Sequence, residues 1–105
     1  METILKKGRI RLKRGILTNF KDLPLDKQLV FIEIKQLIEE YFMTSKNVYV
    51  FGSHKHGYWD EFSDYDVVLN AENECFKLNE FIKEKMTVKV NIICTDREIS
   101  QILIP

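Results

Sequence analysis

The sequence predicts one α/β domain in which a small sheet is covered by helices on one face. Apolar residues recur at helical spacing over 26–43 and again over 72–86. Three short runs rich in β-branched and aromatic residues, 48–51, 65–69 and 87–94, alternate with those stretches. Polar, turn-prone segments separate them, giving the order α-β-loop-β-α-β-α. At 105 residues the chain suits one compact domain and is too short for two. It divides into a basic N-terminal segment, 1–21, and a core, 22–105.

Residues 2–18 leave two readings open. Arg9-Ile10-Arg11-Leu12-Lys13 alternates basic and apolar like an exposed strand, whereas Ile4, Leu12, Ile16 and Leu17 suit a helix face. Lys21-Asp22-Leu23-Pro24 is a turn. Asp26 can cap a helix over 26–43 whose apolar face carries Leu29, Val30, Ile34, Leu37, Ile38, Tyr41 and Phe42. Val48-Tyr49-Val50-Phe51 forms a strand ending at Gly52, and residues 53–63 read as a polar, turn-prone loop. A second strand, 65–69, begins at the aspartates. Cys75, Leu78, Phe81, Ile82 and Met86 support a helix over 72–86, and Thr87 to Cys94 reads as a third strand. Asp96 can cap a last short helix reaching Pro105.

Composition excludes the extremes. Hydrophobic residues make up 45% and charged residues 30%, and the formal net charge is zero. The whole molecule therefore has no strong bias toward nucleic acid or membranes. Of 16 basic and 16 acidic residues, residues 1–21 hold seven basic ones and a single acid, Glu2. The remaining 84 carry nine basic and fifteen acidic groups. This basic arm is either a solvated face or a clamp for RNA or an acidic partner. No secretory or long apolar segment is present, so no membrane is expected and a cytoplasmic protein is. Cys75 and Cys94 fit no metal spacing and read as separate, reduced packing residues.

The chemistry concentrates in Val50–Leu69. A Gly-Ser turn after a strand can present backbone N–H groups to a phosphate. Asp64 and Asp66, at i and i+2 entering a strand, point to one face and can share one divalent cation. Carboxylates heading so apolar a strand cost free energy unless paired or bound to a cation. His54, Lys55 and His56 are either solvated loop residues or contacts for triphosphate oxygens, Lys55 being the better candidate because it stays charged. Tyr58, Trp59 and Phe62 either anchor the loop or stack on a base or a partner. Ser63 is a turn hydroxyl or a ligand contact.

Phe51-Gly52-Ser53, ten residues, then Asp64-Tyr65-Asp66-Val67 resembles the nucleotidyltransferase superfamily of DNA polymerase β. Within it the chain looks most like the minimal nucleotidyltransferases, including the antitoxins of HEPN/minimal-nucleotidyltransferase pairs. The resemblance spans about 26–100, and its specific signature lies in 51–67. It implies an α+β nucleotidyltransferase-like fold, a small mixed β-sheet packed against helices. It also implies transfer of a nucleoside monophosphate from a triphosphate such as ATP to a protein, RNA or small-molecule hydroxyl, with Mg2+ and release of pyrophosphate. Asp64 and Asp66 would hold the metal, and Gly52, Ser53, Lys55 and Ser63 would bind the nucleotide. A HEPN-like toxin becomes a candidate partner. Three departures accompany the resemblance. The third acid of active members, on the last core strand, is matched best by Asn91, which cannot act as a general base near neutral pH. His56 stands where an arginine is usual, and Lys89 lies two residues before Asn91. Two functions follow: an active enzyme, or a binding module of the same fold that regulates a partner or binds RNA.

Overall fold

The computed structural model describes residues 3–6, 9–12, 17–71, 75–99 and 102–105, the first two stretches by their backbone. Strands β1 (Thr3–Lys6) and β2 (Arg9–Leu12) pair antiparallel, Thr3 opposite Leu12 and Lys6 opposite Arg9. Of the two readings of this segment, the alternating one therefore describes residues 9–12. Lys13 and Arg14 of the basic stripe lie outside the described residues.

A 3-10 turn at Phe20–Asp22, with Asn19 Oδ1 accepting from the Lys21 N–H at 3.0 Å, leads into helix α1 (Leu25–Phe42). The cap differs from expectation. Pro24 occupies it, its carbonyl accepting from the N–H groups of Lys27 and Gln28, both at 3.0 Å. Proline lacks an N–H that a helix start would leave unpaired anyway. Asp26 sits in the first turn, where it complements the helix dipole. Of the expected face, Ile34 and Ile38 are buried and Val30, Leu37, Tyr41 and Phe42 pack against the core, whereas Leu29 is 58% exposed and Phe31, not expected there, is buried. Sequence periodicity gives the angular width of a helix face, but packing sets its phase.

Strand β3 (Val48–Phe51) runs into a one-and-a-half-turn helix, α2 (Gly52–His56), where a polar loop was expected. Then follow β4 (Tyr65–Asn70), α3 (Cys75–Lys85), β5 (Val90–Thr95) and β6 (Ile102–Leu103). Residues 72–74 of the helix expected over 72–86 lie outside the described residues. The sheet order is β5-β4-β3-β6, with β4 and β5 parallel and β3 antiparallel to both β4 and β6. It is a mixed sheet, as a β4-α3-β5 crossover requires.

Two further expectations are corrected. The residues described after Asp96 include no helix and end in β6, because Ile102 and Ile104 alternate into the core beside β3. Cys75 and Cys94 are joined as a disulfide, not separate thiols. Parallel pairing carries Cys94 opposite Leu69, beside the start of α3, with the two Cα atoms 5.9 Å apart.

Val48, Val50, Val67, Leu69, Ile92, Ile102 and Ile104 form one buried cluster with Phe31, Ile34 and Ile38 of α1 and Leu78 and Ile82 of α3. Helices thus cover one sheet face, and the alternate residues, Asp66 and Asn91 among them, are left on the other. Among the described residues no helix is long and apolar enough to cross a membrane.

Candidate nucleotide and metal site

Strand pairing assembles the two halves of the signature. Phe51, the last residue of β3, lies opposite Asp66 on β4, so the turn after one strand meets the carboxylate on the next. Gly52 makes this approach feasible. Its φ of +68° is a backbone conformation that side chains disfavour, and a Cβ built there would collide with Asp66 Oδ2 and lie 3.0 Å from its Cγ. Only a glycine lets the backbone rest against that carboxylate. Ser53 follows as the second residue of α2, and its carbonyl accepts from the N–H groups of Gly57 and Tyr58, which ends the helix at once.

Tyr65 points into the core and is 7% exposed, which turns Asp64 and Asp66 to the opposite face. Parallel pairing sets Asn91 directly beside Asp66. The Asn91 side-chain amide donates to Asp64 Oδ2 at 3.1 Å and to Asp66 Oδ1 at 3.0 Å, so one Nδ2 draws both carboxylates together. Lys89 comes to the same side, with Nζ 3.7 Å from Asp64 Oδ2. Its ammonium completes a tight cluster of two acids, one amide and one base. Burial raises the Asp66 carboxyl above its ordinary value; the Asn91 hydrogen bond opposes that rise and the neighbouring Asp64 charge adds to it.

The donor set can be tested against a divalent cation. Two carboxylate oxygens already converge on a single amide nitrogen, Asn91 Nδ2, and a nearby positive charge would favour the ionised form of Asp66. Magnesium commonly takes one or two protein carboxylates and fills its shell with substrate phosphate oxygens and water. The residues fit that pattern. A metal held by protein side chains alone is a different matter: among the described residues no group of three or more His, Cys, Asp or Glu gathers.

The remaining sequence candidates are placed less directly. Lys55 is half-buried on α2, and its carbonyl accepts from the Leu17 N–H at 2.9 Å. Ser63 is engaged in the turn before Asp64: its hydroxyl accepts from the Asp60 N–H at 2.9 Å and donates to Asp60 Oδ1 at 3.2 Å. Of its two readings, these bonds describe the turn hydroxyl. His56 is exposed.

His54 departs from both readings given to it, whereas exposed His56 agrees with the solvated one. His54 is fully buried, stacked between Trp59 (centroids 5.5 Å, planes 7° apart) and Tyr65 (4.9 Å, 18°), with Phe31 edge-on at 5.2 Å. The stack ties Ser53's neighbour on α2 to the residue between the two aspartates. It also settles the aromatic loop: Trp59 is the anchor, 4% exposed, while Phe62 is 65% exposed. The available signal was the density of rings, His54, Tyr58, Trp59, Phe62 and Tyr65, which exceeds what a solvated loop needs.

No curated protein and no solved structure matches the chain. Residues 31–103, from the middle of α1 to the end of β6, match the family described as the nucleotidyltransferase domain. That span contains the Gly-Ser turn, both aspartates and the strand that carries Asn91, and on this match the chain belongs to the nucleotidyltransferase domain family.

Proposed function

We propose that this nucleotidyltransferase domain binds a nucleoside triphosphate such as ATP, together with Mg2+, and transfers its nucleoside monophosphate to a hydroxyl of a protein, RNA or small molecule. The observation that supports this reading is the close approach of Gly52 to Asp66, which brings the Gly-Ser turn beside the carboxylate pair. Gly52 and Ser53 would take the triphosphate through backbone N–H groups and the serine hydroxyl, with Lys55 as an added cation. Asp64 and Asp66 would hold the metal, and a half-turn of the Asn91 amide would present its oxygen in place of its N–H groups. When bound, the metal neutralises charge on the phosphate oxygens and orients the triphosphate. The hydroxyl oxygen would then form its bond to the α-phosphorus as the bond to the β-phosphate oxygen breaks. Asn91 has no basic lone pair for the hydroxyl proton, so that proton passes to solvent or to the departing pyrophosphate. A slow enzyme is the consequence.

The experiment is calorimetric titration of Mg·ATP into the chain, followed by incubation with ATP labelled at the α-phosphate. Binding that Asp64→Ala abolishes, with label retained on an acceptor, is expected. Absence of nucleotide binding to the unaltered chain sinks the reading.

A second reading is favoured by Asn91, an amide where the resemblance implies an acid, with the cation Lys89 two residues before it. Here the same site binds nucleotide without turnover, and the domain acts by occupying a partner, a HEPN-like toxin or an RNA. Binding without label transfer, and one stoichiometric partner recovered on purification from the native host, would select it.

A further inference from the structure

We infer that Lys89 is a specificity-determining residue that makes the site take a metal–nucleotide complex and resist the bare metal ion; the inference rests on the nucleotide reading above. Its Nζ lies 3.7 Å from Asp64 Oδ2, at one of the two carboxylates that would hold the metal. The position is fixed by the fold. The Lys89 carbonyl accepts from the Tyr65 N–H at 2.9 Å, so the lysine enters the sheet level with the residue between the two aspartates. Asn91, two residues on, shares its face and joins the same carboxylate.

The consequence is electrostatic. A free dication approaching Asp64 must displace or tolerate an ammonium already paired to it, and like charges at that range oppose binding. Mg·ATP is different, because the complex is still anionic. Its phosphate oxygens give the displaced ammonium a new partner, so Lys89 changes from competitor to ligand contact when the metal arrives with its triphosphate. Lys83 of α3 lines, with Glu80, Lys89 and Asn91, a cleft of about 240 Å3 at the β5 edge that neither aspartate lines. The Lys89 side chain is 76% exposed and the Asp64 side chain 31%, so solvent screens the pair. The effect on free metal is therefore modest, a few-fold and not orders of magnitude.

The test uses the full chain, its Lys89→Gln and Lys89→Arg variants, and two probes, Mn2+ alone followed by electron paramagnetic resonance and Mg2+ with a non-hydrolysable ATP analogue followed by calorimetry. Lys89→Gln should bind free Mn2+ about two- to five-fold more tightly and the Mg2+–analogue complex several-fold more weakly, opposite signs from one substitution. Lys89→Arg, which keeps the charge, should track the unaltered chain in both titrations. Affinities that move together, or do not move, in Lys89→Gln overturn the role of Lys89 while leaving the nucleotide site standing. If the unaltered chain binds neither probe, the nucleotide reading falls and this inference falls with it.

Discussion

At the scale of single residues, Asp66 shows what a binding site costs a fold. Its carboxyl is raised above its ordinary value chiefly by burial. The folded chain therefore holds that proton to higher pH than the unfolded chain does. Stability is lost as pH climbs from the ordinary value, 3.8, through the raised one, and stays lower at neutral pH. Removing the charge should recover it. Asp66→Asn is expected to melt a few degrees above the parent at pH 7 without metal, the gap closing as the pH falls toward 4. An amide oxygen at this position can still accept from Asn91, so the geometry survives. Mg·ATP binding should be lost in the same variant, and thermal melts with and without ligand check both halves. The sequence announced this residue well: a carboxylate heading the run Tyr65-Asp66-Val67-Val68-Leu69 is out of place unless something binds it. It did not announce His54, because burial of a polar ring depends on partners five and eleven residues further along the chain, Trp59 on one side and Tyr65 on the other.

Among elements, the ones legible in advance were those whose pattern is local. Helix α1 and strands β3 and β4 follow from periodicities of 3.6 and 2 and lie within a residue or two of their expected bounds. Helix α2 and strand β6 were not legible. A five-residue helix has too few turns to show a period, and a two-residue strand exists only because β3 offers it an edge. Helix α1 also ends in a way its sequence does not advertise. Met43 adopts the left-handed conformation, φ 57°, with its N–H donating to the Glu39 and Glu40 carbonyls, and its side chain is 91% exposed. A side chain in this conformation costs about 1–2 kcal/mol, and glycine avoids the clash at some cost in unfolded-chain entropy. Met43→Gly should therefore stabilise the domain by about 0.5–1 kcal/mol, read as a higher urea midpoint at unchanged slope. No buried contact is lost, so nucleotide binding should be unaltered.

For the molecule as a whole, the question is what keeps the sheet from pairing with another copy. The formal net charge is zero and the isoelectric point is near 6.7, so charge repulsion offers little protection near neutral pH. Protection must come from the edges. On one side β6 is only two residues long. On the other, the Ile92 N–H donates to Asn79 Oδ1 at 2.9 Å and the Ile92 carbonyl accepts from Asn79 Nδ2 at 3.0 Å. The side-chain amide of α3 thus takes the place a neighbouring strand would fill on the outer edge of β5. Asn79→Ala exposes both groups. It should cost about 1–2 kcal/mol from the lost bonds. It should also open the edge to self-pairing, giving concentration-dependent association in sedimentation velocity that is strongest near pH 6.7 and weakens on moving away from it. Because Asn91 lies one residue from Ile92 on the same strand, the edge that Asn79 guards also carries the amide that gathers Asp64 and Asp66. Association through β5 would then lower nucleotide affinity at high protein concentration, a coupling that dilution reverses. Asn79→Ala that stays monomeric at every pH would show that β5 needs no such guard.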